Sequence, residues 1–467
     1  MKITTEEKSA EKLSKKIVRI SLTEGNQTRF IKDSNNSTRI EIKINRGDKN
    51  SLRKFIKTVR RIIRITKQYR VEKIAIDIDE FKKISNLPLD ELGSIIAQNI
   101  KMAGYEFLNF KTKPKTGWGE IKEIFITNIS QKSIVSGILK GNKIGELVNE
   151  CRLISNTPGG DMTPKILANH AKRLSKDIPV KVSILGKKEI TRLKMGAILG
   201  VSKGSTEEPK FIIMEYKGGK KDERPIVFVG KGVTFDSGGI NLKPSEMILG
   251  MHMDMSGGAA VIASVALIAK LKIRKNVIGL VPSVENMTSG NAFRPGDVLK
   301  SMSGKTIEII NTDAEGRLVI ADALTYAKKF NPRVVIDIAT LTGASIVALG
   351  QHASALMTRD KKLQEILMEI GEKTGDYVWP LPLWEEYEVY IKGQIADVAN
   401  LSTRNPQYGG SINGGIFLEH FTRDYKKDCK WAHLDTSPRM TTIPSDNLSV
   451  GAAGEPVRLL TKFAEEY

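Results

Sequence analysis

The strongest constraint on the fold is a series of apolar segments too hydrophobic to be half-solvated strands. Pro225-Ile-Val-Phe-Val229 has no polar alternation and runs into a glycine-rich turn. Residues 277–281, 306–310 and 334–340 read as further strands, with helical spacing over 257–271 and 316–330 between them. Fully apolar strands separated by helices predict an α/β fold with a mostly parallel central sheet covered on both faces. In such a sheet, ligands bind beyond the carboxyl ends of the strands.

The first third reads differently. Phe55, Ile56, Val59, Ile62 and Ile63 recur at helical spacing over 52–66, 71–78 reads as a strand and 90–103 as a helix, with short extended pieces over 105–127. A chain of 467 residues exceeds one ordinary core. The expected division is a small N-terminal α/β domain over 1–131, a linker helix over 132–151 and a larger domain over 152–467. No apolar segment follows the N-terminal Met-Lys-Ile-Thr-Thr-Glu-Glu-Lys, so no secretory signal is expected. The longest apolar stretch, 257–269, is read as a buried helix, too short to span a bilayer. Two distant cysteines, Cys151 and Cys429, exclude a disulfide framework or a thiolate metal site and fit a reducing cytoplasm.

The formal charge is +20, and residues 1–70 hold 20 Lys and Arg against 7 Asp and Glu. Arg53, Lys54, Lys57, Arg60, Arg61, Arg64, Lys67 and Arg70 could follow a phosphate backbone. Without interleaved aromatics or a nucleic-acid motif, a solvated helix face is the plainer reading.

Chemistry concentrates at two places after strands. One is Gly230-Lys-Gly-Val-Thr-Phe-Asp-Ser-Gly-Gly239, with Lys231 and Asp236, followed by Lys243 and by Asp254 in Met251-His-Met-Asp-Met255. The other holds Asp313, Glu315 and Arg317. The first loop fails the Walker pattern, and Phe235 occupies the third glycine position of a dinucleotide fingerprint. Asp313 and Glu315 alone read as helix-start carboxylates. The five histidines show no paired-ligand spacing. Four carboxylates gathered at neighbouring strand ends, however, require a cation, and two hard divalent metals use all four. Hydrolysis is the expected use of such a pair.

Asn311-Thr-Asp-Ala-Glu-Gly-Arg-Leu318, continuing Val-Ile-Ala-Asp-Ala-Leu324, resembles the signature of the leucyl aminopeptidase (cytosol aminopeptidase) family. So do 229–244, 286–297, 337–343, Asn156-Thr-Pro158 and Trp431-Ala-His-Leu-Asp435, so that the resemblance covers about residues 150–467. It implies a metallo-aminopeptidase that removes an apolar N-terminal residue such as leucine from short peptides, by attack of a hydroxide bridging two metals. The tightly held metal would take Lys231, Asp236, Asp254 and Glu315. The more exchangeable one would take Asp236, Asp313 and Glu315. Manganese or zinc is expected, with magnesium as an option. A lysine ligand must be neutral, which adjacent cations enforce by lowering its pKa. Lys243 and Arg317 match the catalytic residues, with bicarbonate at Arg317 as general base. Met251, Thr340, Leu341 and Gly343 match the subsite for the first side chain. The resemblance also implies a cytoplasmic homohexamer. Asp435-Thr-Ser-Pro-Arg439 departs from the family's small-residue run, which leaves the choice among leucine, methionine and phenylalanine open. A nucleic-acid-binding role for the basic N-terminal domain and an inactive structural relative are the other function classes; the intact set of seven residues argues against the last.

Overall fold

A computed structural model describes residues 1–25, 27–32, 37–44, 51–405 and 408–467. Of the charged residues counted in the N-terminal surplus, Asp33, Arg46, Asp48 and Lys49 lie outside these. The chain forms two units, Met1–Asn149 with Thr442–Gly451, and Glu150–Thr441 with Ala452–Tyr467. Sequence alone put 442–451 with the second region. In the fold, Asp446 accepts a hydrogen bond from Arg60 through its carbonyl (3.3 Å), and Ser449 donates to the Tyr105 carbonyl (2.8 Å). The helix Lys132–Asn156 carries the chain from one unit into the other.

The first unit contains strands β1 (Lys2–Thr5), β2 (Val18–Thr23), β3 (Arg29–Lys32), β4 (Thr38–Lys43), β5 (Lys73–Asp77) and β6 (Glu123–Thr127). They form one sheet in the order β1-β6-β5-β2-β4-β3, in which only the β3–β4 pair is antiparallel. The helix Leu52–Gln68 buries Phe55, Ile56, Val59, Ile62 and Ile63, the stripe its spacing predicts. Its basic residues do not share one outer face. Arg60 is buried and donates to Asn99 Oδ1 at 2.8 Å, while Lys67 pairs with Glu106 at 2.7 Å.

The second unit contains β7 (Val180–Leu185), β8 (Lys210–Lys217), β9 (Ile226–Gly230), β10 (Gly232–Asp236), β11 (Asn276–Asn286), β12 (Val298–Lys300), β13 (Thr306–Glu308), β14 (Val334–Ala339), β15 (Ser354–Met357), β16 (Val378–Pro380), β17 (Val398–Ala399) and β18 (Lys430–Asp435). The main sheet runs β16-β15-β18-β14-β9-β11-β8-β7, with β10 added beside β11. Its centre, β18-β14-β9-β11, is parallel, as is β10 with β11; antiparallel pairs occur towards the edges. This is the mostly parallel sheet expected from the apolar segments. Every residue of β9 and β14 is buried. Val335 packs in one core cluster with residues of the helix Gly316–Ala327, while Val334, Ile336 and Ile338 point the other way and are equally buried.

One detail differs from the expectation. The segment 306–310 is not a strand of the main sheet: β13 forms a separate three-stranded sheet, β12-β13-β17. A tight turn, in which Ser301 N donates to the Lys305 carbonyl at 2.9 Å, folds β12 back onto β13 as a local hairpin. The apolar run 257–269 lies in the helix Ser256–Lys270, of which residues 256–269 are all buried, the core helix its composition predicts.

Asp322 ties three parts of this unit together. Its Oδ2 accepts from Ala197 N and Ile198 N (both 3.0 Å) and its Oδ1 from Met302 N (2.7 Å). Complete burial pushes its carboxyl up to about 7, against the pull of these three amides. Asp322→Ala leaves three amides without an acceptor and is expected to lower the unfolding free energy by about 3 kcal/mol. Asp322→Asn, which keeps one oxygen, loses about half as much. Urea midpoints at constant slope measure both.

Candidate active site

The site is built around two loops and the start of a helix. β9 ends at Gly230 and Lys231 follows. β10 ends at Asp236, beside Asn286 at the end of β11 in parallel register. Gly238 and Gly239 then adopt φ of +90° and +67°, which reverses the chain and returns Lys243, whose N–H donates to the Ser237 carbonyl at 3.0 Å. Asp254 caps the short helix Met251–Met253 just before the buried helix Ser256–Lys270. Asp313 and Glu315 lie between β13 and the helix Gly316–Ala327.

These residues, distant in sequence, meet. Lys231 Nζ lies 2.7 Å from Asp254 Oδ2 and 2.9 Å from Glu315 Oε1, and donates to the Thr340 carbonyl at 3.0 Å. Lys243 Nζ lies 2.9 Å from Asp236 Oδ2 and 2.5 Å from Asp313 Oδ1. Asp236, Asp313 and Glu315 each offer an oxygen within 4.8 Å of the other two. Gly316 makes the approach of Lys231 feasible: a Cβ there would stand 2.5 Å from Lys231 Nζ.

Burial sets the electrostatics. It raises the Glu315 carboxyl above the ordinary range, and the neighbouring Asp236 adds to this. Asp254 and Asp313 are raised for the same two reasons, burial and then Asp236, against the opposing lysines. Burial works against a charge on Lys231, but Asp254, Glu315 and Asp236 outweigh it and its pKa rises. Lys243 behaves likewise among Asp236, Glu315 and Asp313. The two ammonium groups thus stand among the carboxylates as counter-charge. Both Glu315 oxygens are buried without a hydrogen-bond partner among the described residues, and of the two it is Oε1 that stands beside the Lys231 ammonium. Three convergent carboxylates with an unsatisfied oxygen are the donor set that hard divalent cations take.

Arg317, two residues on, is 3% exposed, and burial pulls its guanidinium down to about 10, still charged at neutral pH. Its Nε and Nη1 have no hydrogen-bond partner among the described residues. Buried donors of this kind fit a planar oxyanion. Of the four residues read as a subsite, Thr340 is buried and donates to Asp254 Oδ1 at 2.8 Å, and Leu341 N donates to Asp435 Oδ1 at 3.1 Å. Gly343 opens the exposed helix Gly343–Leu349. Met251 opens the short helix that leads to Asp254.

Sequence reasoning missed the supporting residues. Asn286 Nδ2 donates to Asp236 Oδ1 (2.8 Å) and to the Thr312 carbonyl (3.0 Å), linking the two loops. Asn400 accepts from Ile310 N at 2.8 Å and donates to the Asn311 carbonyl at 2.6 Å, holding the segment that carries Asp313. Asn286 had a signal, its place at the end of an apolar strand; Asn400 had none. Below the site, the buried Asp337 accepts from Trp431 Nε1 at 2.8 Å and bonds His433 Nδ1, so one histidine serves the junction of β14 and β18. Burial opposes its charge, but Asp337 outweighs that and raises the pKa.

The geometry agrees with comparisons to known proteins. The model of the cytosol aminopeptidase family, catalytic domain, matches residues 149–461. A "Probable cytosol aminopeptidase" of Methylobacillus flagellatus is 42% identical over 79% of this chain and 74% of its own length. One of Syntrophotalea carbinolica is 39% identical over 86% of this chain and 80% of its own. The solved structure "Bottromycin maturation enzyme BotP in complex with Mn" superposes with a TM-score of 0.86 at 26% identity, covering 97% of this chain and 99% of that one. The chain belongs to the cytosol aminopeptidase family and is a metallo-aminopeptidase.

Proposed function

We propose that this enzyme holds two divalent cations on Lys231, Asp236, Asp254, Asp313 and Glu315 and releases an apolar N-terminal residue, leucine-like in size, from short peptides. The observation that carries the reading is the buried triangle of Asp236, Asp313 and Glu315 oxygens flanked by Lys231 and Lys243. Asp236 and Glu315, which face both lysines electrostatically, would contribute to holding both ions. Manganese is favoured as the first ion to test, since the solved neighbour is described in complex with Mn.

When bound, the cations polarise the scissile carbonyl and lower the pKa of water at the site. Lys243 supplies a positive charge for the carbonyl oxygen as it gains negative charge. Arg317 would hold bicarbonate through its unpartnered Nε and Nη1, placing a base beside the attacking water. Lys231, displaced from its carboxylates as counter-charge, would serve as a neutral amine ligand. Thr340 keeps Asp254 oriented through its hydroxyl. Met251, Thr340, Leu341 and Gly343 are mostly apolar or small, which suits an apolar first side chain. The homohexamer that the family resemblance implies is the assembly to test first.

Lys243→Ala and Arg317→Ala are each expected to retain both metals while kcat on a leucine anilide falls by about 10²-fold or more. Full activity in either holoenzyme sinks that residue's role. Chelated enzyme is expected to release no N-terminal residues from a peptide panel and to recover with Mn²⁺ or Zn²⁺. Release that persists without metal sinks the reading as a whole. Light scattering of the holoenzyme is expected to give the mass of a hexamer.

A further inference from the structure

Asp313 is the least enclosed of the clustered carboxylates. Its side chain is 32% exposed, against 3% for Asp236, 6% for Asp254 and 1% for Glu315. Packing therefore fixes the other three, whereas the place of Asp313 depends on how its own backbone is held. That backbone leaves the three-residue strand β13 and joins no ladder of the main sheet. Its support comes from the segment 391–400, which carries β17.

Asn400, fully buried, spends its whole side-chain hydrogen-bonding capacity on this backbone. Its Oδ1 accepts from Ile310 N (2.8 Å) and Asn311 N (3.3 Å). Its Nδ2 donates to the carbonyls of Asn311 (2.6 Å) and Ala314 (3.3 Å), so that these bonds bracket Asp313 on both sides. The Asn400 N–H also donates to the Glu308 carbonyl at 2.9 Å. Asn400 is itself held in place. β17 pairs in parallel with β13, and the Glu308 carboxylate accepts from Gln394 N (2.7 Å) and Ile395 N (3.2 Å). Thr306 N and Oγ1 both donate to Asp397 Oδ2, at 2.7 and 2.8 Å. These contacts brace the segments 306–314 and 391–400 against each other beside the site.

We infer that Asn400 is a positioning residue for the more weakly held of the two cations, setting its affinity through the backbone of Asp313 and leaving the other ion in place. This rests on the reading that Asp313 serves that ion alone, the other ion taking Lys231, Asp236, Asp254 and Glu315. Glu315 shares the loop, but its side chain is enclosed and it stands at the start of the helix Gly316–Ala327. That helix is held by the core without Asn400. Removing the Asn400 amide leaves backbone N–H and C=O groups unpaired in the interior, and the loop must shift to satisfy them. A carboxylate carried on a shifted loop is a poorer ligand, and residues that orient ligands from behind are worth about 10- to 100-fold in metal affinity.

The test follows Mn²⁺ uptake by the chelated enzyme through the electron paramagnetic resonance signal of free Mn²⁺, which reads both binding steps without turnover. In Asn400→Ala the weaker step is expected to lose about tenfold or more in affinity, with the tighter step within about twofold of the parent. Asn400→Ser, whose hydroxyl can make part of these bonds, is expected to fall between, and it carries the test if the alanine variant does not fold. Asp313→Ala is expected to remove the weaker step altogether. An unchanged weaker step in the Asn400 variants, beside its loss in Asp313→Ala, overturns the role of Asn400 and keeps the reading of the ions. Equal weakening of both steps makes Asn400 a general structural residue and likewise overturns the proposal. A weaker step that survives Asp313→Ala, or a parent that takes up a single Mn²⁺, overturns the reading of the ions, and the proposal falls with it.

Discussion

Mutual repulsion among buried carboxylates is the constraint around which the larger unit is organised. Asp236, Asp254 and Glu315 are brought together in the interior with the partly exposed Asp313 beside them, and burial raises the carboxyls of Asp254, Asp313 and Glu315. Such a cluster persists only with positive charge inside it. Lys231 and Lys243 bring positive charge there, each placed between two carboxylates.

The scaffold meets this demand by letting several strands end at one place. Parallel register sets Asp236 beside Asn286, and the Asn286 amide then spans to the loop carrying Asp313. That loop leaves a three-residue strand outside the main sheet, so its position rests on side chains such as Asn400 more than on a ladder of backbone bonds. At the other side, Thr340 joins the end of β14 to both Asp254 and Lys231. The site thus depends on amides and hydroxyls that hold ionised groups at fixed separations. Hydrogen bonds from Leu341 N to Asp435 and from Thr342 N to Ser437 extend the same device to the turn before the helix Gly343–Leu349.

Much of this was legible from one sequence. Periodicity in 52–66 and the unbroken apolar character of 225–229 and 334–340 follow from burial on one or both faces, and burial is what the fold imposes there. The helix Lys132–Asn156 runs five residues beyond the linker helix read over 132–151. The strand over 306–310 was recognisable as extended, but its sheet was not. A three-residue pairing depends on the partners β12 and β17, and β17 lies some ninety residues further on. Arg60 shows the reverse error: a charge read as part of an outward face turns inward, because Asn99 of the neighbouring helix offers it an acceptor.

What the sequence determined by itself was the inventory: the kinds of strand, the seven charged residues and the spacing that sets each after an extended segment. Those depend on local chemistry, which side chains and backbone angles fix within a few residues. Only the tertiary structure decided that Lys231 lies between Asp254 and Glu315, that Lys243 lies between Asp236 and Asp313, and that Arg317 keeps two buried donors without a partner. Those are distances between groups up to about a hundred residues apart in the chain. They are set by sheet register and helix packing, which no local pattern encodes.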